Sequence, residues 1–138
     1  MRNKFVSLQA LALLVIFCLT GSLTRAAVNP KPFVVPELKQ WTGKDGNFTP
    51  GKDARIVCTS QNPELLRIAR MFADDYQQMF GQALSVAQGK ATSGDFVLSL
   101  SADKKLGEEG YAIKISDRVI ISAPTPTGLY WSTRTLLQ

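Results

Sequence analysis

Tyr111-Ala112-Ile113-Lys114-Ile115-Ser116-Asp117-Arg118-Val119-Ile120-Ile121-Ser122-Ala123 contains two apolar-rich runs separated by a polar break. A strand places alternate side chains on opposite faces, so the apolar pattern fixes how the runs pair. With Ser116-Asp117-Arg118 as the loop, Ile115 faces Val119, Ile113 faces Ile121 and Tyr111 faces Ala123, and all six share one face. A two-residue loop would set Ile115 against Arg118, so the three-residue loop is expected. The face bearing Lys114, Ser116 and Ser122 is then the wetter one, as in a sheet covered on one side.

The cover is readable upstream. Asn62-Pro63 is a helix start, a cap residue followed by proline at the first helical position, and Gly81 suits the left-handed position at the end. Leu65, Ala69, Phe72, Tyr76 and Phe80 recur at spacings of four, three, four and four, an apolar stripe that a sheet would bury. Short strands are expected at Phe33–Val35, Arg55–Thr59, Leu84–Ala87 and Phe96–Leu100. Trp41 to Asp53, rich in glycine, reads as loop with at most two or three strand residues around Phe48. Thr125 or Thr127 can cap a last helix from Gly128 to Gln138. The fold class expected is α+β, a two-layer antiparallel-rich (mixed) sheet with two helices packed on one face.

With 138 residues the chain has room for about one domain. Arg2 and Lys4, the apolar run Leu8–Leu19 and the small residues up to Ala26 follow the order of a cleavable secretory signal, so residues 1–26 are expected to leave and 27–138 to form the domain. The run is short of the roughly 20 apolar residues that a membrane crossing needs. Export to the periplasm or the extracellular space is therefore expected, with no membrane partner after cleavage. Arg2, Lys4 and Arg25 leave with the signal, which lowers the net charge from +5 to +2. So small a charge, with scattered Lys and Arg, gives no reason to expect a nucleic-acid partner.

Histidine is absent, which removes His-based triads and the commonest transition-metal ligand. Once Cys18 leaves, Cys58 stands alone in an apolar strand and reads as a packed thiol with no intrachain disulfide partner. Asp74 and Asp75 are adjacent on a helix, diverge by about 100° and read as solvated. Glu108 and Glu109 lie between glycines in a turn, where capping or an interdomain contact suits them better than acid–base work. Trp41, Tyr130 and Trp131 could stack on sugars, although core or interface packing is the commoner use of such rings. No catalytic, metal or cofactor residue is assigned, and no cofactor is expected.

Three stretches taken together resemble the domain that precedes the catalytic barrel in β-N-acetylhexosaminidases of glycoside hydrolase family 20. They are Gly107-Glu108-Glu109-Gly110-Tyr111-Ala112-Ile113-Lys114-Ile115, the return strand Val119-Ile120-Ile121-Ser122-Ala123, and Gly128-Leu129-Tyr130-Trp131-Ser132-Thr133-Arg134-Thr135-Leu136-Leu137-Gln138. Ser132 stands where many members have glycine. The likeness extends more loosely back to about Val34, and similar domains precede the barrels of α-glucuronidases and O-GlcNAc-type hydrolases. The resemblance implies a final helix that runs into a (β/α)8 barrel in cis, with carbohydrate contacted only indirectly. The family's catalytic Asp–Glu pair lies in that barrel and has no counterpart in this sequence. Leu129, Trp131, Leu136 and Leu137 are the residues expected to pack between domains, and Leu129, Leu136 or Leu137 is expected to stay uncovered in this chain alone. Three functions follow: an accessory domain of a hexosaminidase-like enzyme, a free-standing carbohydrate-binding module, or a domain docking on a separately encoded barrel. A reading frame that continues into a barrel would select the first, and saturable binding of chitin-derived sugars the second.

Overall fold

The computed structural model describes residues 28–138, and the signal assigned to residues 1–26 lies outside them. The elements in chain order are β1 (Arg55–Cys58), α1 (Pro63–Phe80), β2 (Ser85–Gln88), β3 (Phe96–Leu100), β4 (Ala112–Ile115), β5 (Val119–Ala123) and α2 (Pro126–Leu136), with a 3-10 turn at Lys104–Leu106.

Helix α1 starts and stops where its end signals place it. Asn62 Oδ1 accepts from the backbone N–H groups of Glu64 and Leu65 at 2.9 and 3.2 Å, which satisfies two donors with no partner inside the helix. Gly81, at φ 72°, donates its N–H to Gln77, a conformation that a side chain would oppose. Leu65, Ile68, Ala69 and Phe72 are buried, while Phe80 at the helix end is exposed. Ile68, three residues after Leu65 and four before Phe72, belongs to the stripe as well.

The five strands form one sheet in the order β2-β1-β3-β5-β4. Ile115 pairs with Val119 and Ile113 with Ile121, the register that the three-residue loop requires. The α+β class, the mixed sheet and the two helices stand. The balance of directions is the correction: β1 runs parallel to β2 and β3, and β3 runs parallel to β5, so only the β4–β5 hairpin is antiparallel. Parallel neighbours ordinarily need a crossover of a dozen or more residues. Here α1 supplies one between β1 and β2, and strands of four and five residues let the short loop 89–95 return the chain from β2 to the start of β3.

Ile56, Cys58, Phe96, Leu98, Val119, Ile121 and Ala123 present one face of the sheet to Leu65, Ile68, Ala69, Phe72, Leu129 and Leu137, forming a single core. Phe96 sits among three rings, with Phe48, Phe72 and Tyr76 meeting it edge-on at 5.4, 5.5 and 5.5 Å, a favourable quadrupole geometry. Residues 41–53 carry no strand, as their composition indicates. Phe33–Val35 is not a strand either. Pro32 and Pro36 remove backbone donors on both sides, and the Val35 backbone pairs with the Gln138 side chain instead.

Candidate docking surface

Thr125 caps α2, its Oγ1 accepting from the Gly128 N–H at 3.0 Å and donating to the Glu108 carbonyl. The helix thus begins at Pro126, two residues before the glycine. A Cβ on Gly128 would lie 2.5 Å from the Gly110 carbonyl oxygen and 2.9 Å from Ala123 Cβ, so the helix start packs directly on the backbone of the Glu108–Gly110 turn and on the Ala123 side chain at the end of β5. Tyr111 and Thr135 share a hydroxyl hydrogen bond of 2.6 Å. The glycine-flanked turn therefore braces the Thr125 cap through the Glu108 carbonyl, and the side chains of Glu108 and Glu109 are exposed.

This seating decides where the four expected docking residues go. Leu129 is 0% exposed and Leu137 7%, and Leu136 is half-buried against the core. The expectation that leucines at the end of α2 stay uncovered is corrected for Leu129 and Leu137. Leu129, Thr133 and Leu137 recur every four residues and form the stripe that α2 turns toward the sheet. Trp131 behaves differently, at 44% exposed, because its position turns it to the outer side of α2.

The outer side is organised by polar and aromatic contacts between the helices. Asp75 Oδ2 accepts from Arg134 Nη2 at 2.6 Å, Arg134 lies 5.1 Å above the Tyr130 ring, and Tyr130 meets Trp131 at 5.3 Å. Asp75 thus joins α1 to α2 instead of standing solvated, whereas Asp74 is exposed as expected. A shallow groove between the helices is lined by Arg67, Met71, Pro126 and Tyr130, and Phe80 and Met79 add exposed apolar surface at the end of α1. Trp41 belongs to a different contact, its Nε1 donating to the Asn29 carbonyl at 3.3 Å.

Cys58 is 1% exposed, and burial pushes its thiol above the ordinary value, so it lacks thiolate character. Among the described residues no cluster of Cys, Asp and Glu is arranged to hold a metal ion, and no helix is long and apolar enough to cross a membrane. The most desolvated carboxylate, Asp95, was not singled out from the sequence. It is 2% exposed and receives the Arg55 guanidinium at 2.6 Å, the Arg55 N–H at 3.0 Å and the Thr92 N–H at 2.8 Å. Burial raises its carboxyl, but the Arg55 and Thr92 donors together outweigh burial and hold it at about 2. Its donors come from β1 and the loop before β3, so it is a joint in the scaffold. The only signal in the sequence is its place between Gly94 and the first residue of a strand.

The sequence profile of glycosyl hydrolase family 20, domain 2, matches residues 31–138. No curated protein matches the chain by sequence. Among solved structures, the Streptomyces plicatus N-acetyl-β-hexosaminidase in complex with Thio-NAglucal is similar at 25% identity and TM-score 0.53, over 62% of this chain and 17% of that one. The GH20 β-N-acetylhexosaminidase from Streptomyces coelicolor A3(2) is similar at 24% identity and TM-score 0.56, over 64% of this chain and 17% of that one. The chain therefore spans about a sixth of the length of these structures. With the family profile covering the whole core and both helices, the chain belongs to glycosyl hydrolase family 20, domain 2.

Proposed function

We propose that this chain is the non-catalytic accessory domain of an exported β-N-acetylhexosaminidase-like glycoside hydrolase, and that it packs through the outer side of its helices against the (β/α)8 barrel that hydrolyses terminal N-acetylhexosamine residues. The observation that carries the reading is the domain 2 profile over residues 31–138. Two features support it. The outer side of α2 keeps Trp131 in solvent beside a braced Tyr130–Arg134–Asp75 row, and a partly exposed aromatic on a rigid support suits a domain interface. The n-region, apolar run and small residues of 1–26 support export to the periplasm or the extracellular space.

The test compares this chain with the same chain extended through the sequence that follows residue 138 in its gene, assayed on a chromogenic N-acetylglucosaminide. Turnover by the extended protein alone is the expected result. Turnover by the short chain, or a gene that encodes no further domain, would sink the proposal.

A further inference from the structure

Residues 31–37 form a small loop clamped at three points. Lys31 Nζ and Glu37 Oε1 close its base at 2.6 Å, Val34 is buried, and the Gln138 side chain holds Val35 from both sides. Gln138 Oε1 accepts from the Val35 N–H at 2.8 Å and Gln138 Nε2 donates to the Val35 carbonyl at 2.9 Å. A primary amide used this way reproduces the donor–acceptor pair of a neighbouring strand. The clamp spans 103 positions of sequence and fixes the leader to the end of α2.

What the clamp displays is apolar. Phe33 is 92% exposed and Val35 66%. An exposed aromatic on a loop held in one conformation has already lost the entropy that binding would otherwise cost. The position adds a second argument. Gln138 is the second residue past the end of α2, and the backbone turn continues to it, with the Leu137 and Gln138 N–H groups donating to the Thr133 and Thr135 carbonyls. The loop is therefore fixed beside the C-terminal end of α2.

We infer that the 31–37 loop is a second element of the docking surface, with Phe33 as an anchor inserted into the catalytic domain of the same polypeptide. This rests on the accessory-domain reading, under which the chain passes onward at Gln138, beside Val35. Gln138 is then a positioning residue: it touches no partner and sets where Phe33 stands.

Cysteine footprinting tests the inference in the full polypeptide encoded by the gene, with this chain as the reference. Single variants Val35→Cys and Trp131→Cys are labelled with a maleimide under native conditions, where buried Cys58 stays silent. Labelling at both positions is expected to slow at least tenfold in the full polypeptide, and adding Phe33→Ala or Gln138→Ala should restore fast labelling at Val35→Cys. Slowing at Trp131→Cys with Val35→Cys unchanged overturns the loop while leaving the helix packing intact. No slowing at either position overturns both. Slowing at Val35→Cys in this chain alone, increasing with its concentration, assigns the loop to a second copy and overturns the inference as well.

Discussion

Asp95→Asn weighs on this fold without touching its apolar core. The carboxylate accepts from the Arg55 N–H at 3.0 Å, Arg55 Nη2 at 2.6 Å, the Thr92 N–H at 2.8 Å and Thr92 Oγ1 at 3.1 Å. An Asn keeps one acceptor oxygen and turns an NH2 toward donors. Hydrogen bonds to a buried charged group contribute about 1.5–3 kcal/mol each, but the Arg55 side chain is about a third exposed and can recover hydration, so the expected loss is about 2–4 kcal/mol. The titration of Asp95 gives a second route to the magnitude. A carboxyl held at about 2 instead of 3.8 contributes about 2 kcal/mol of stability. Its folded value lies below its unfolded value, so this contribution is complete above about pH 5 and lost as the pH falls toward 2. Urea unfolding of this chain at pH 7 should show the midpoint lowered by about 1 M or more, with the slope unchanged. Repeated down to pH 2, the gap between wild type and variant should close by about 2 kcal/mol, because protonated Asp95 also loses its charge. A gap under about 0.5 kcal/mol at pH 7, or one that stays constant from pH 5 to 2, would refute the assignment of Asp95 as the joint between β1 and β3.

Leu129→Ala should lower the stability of this chain by about 2–5 kcal/mol, since Leu129 is fully buried, while Trp131→Ala should change it by less than about 1 kcal/mol; equal effects in urea unfolding would place Trp131 in the core. Gly128→Ala should cost about 1–3 kcal/mol by the same measurement, because the new methyl meets the Gly110 carbonyl and Ala123; an unchanged midpoint would mean that the turn is not seated on α2.

Local rules settled most of the elements. The β4–β5 register followed from the alternation of Tyr111, Ile113 and Ile115 against Val119, Ile121 and Ala123, because a shift of one residue would send Arg118 into the core. The ends of α1 followed from Asn62-Pro63 and Gly81. Strand direction was not legible in the same way. Period-two patterns say which side chains are inside and nothing about which way a neighbour runs, and the loop 89–95 is long enough for either answer once the strands are four or five residues long.

The candidate surface was harder to read, for a related reason. Hydrophobicity and a place at the end of the sequence do not decide the burial of Leu129, Leu136 and Leu137, because burial on a helix is set by angle around its axis. Leu129 and Leu137 are eight residues apart and fall on the side that the sheet covers, while Trp131, two residues on from Leu129, is carried about 200° round to the other side. The periodicity that located α1's stripe would have sorted α2 in the same way. No local pattern points to Asp95 or Gln138, whose partners come from other segments of the chain. Asp95 is a joint because Arg55 lies 40 positions away, and Gln138 is a clamp because Val35 lies 103 away. Such contacts exist only once the folded chain has brought distant segments together, and no pattern within one segment can announce them.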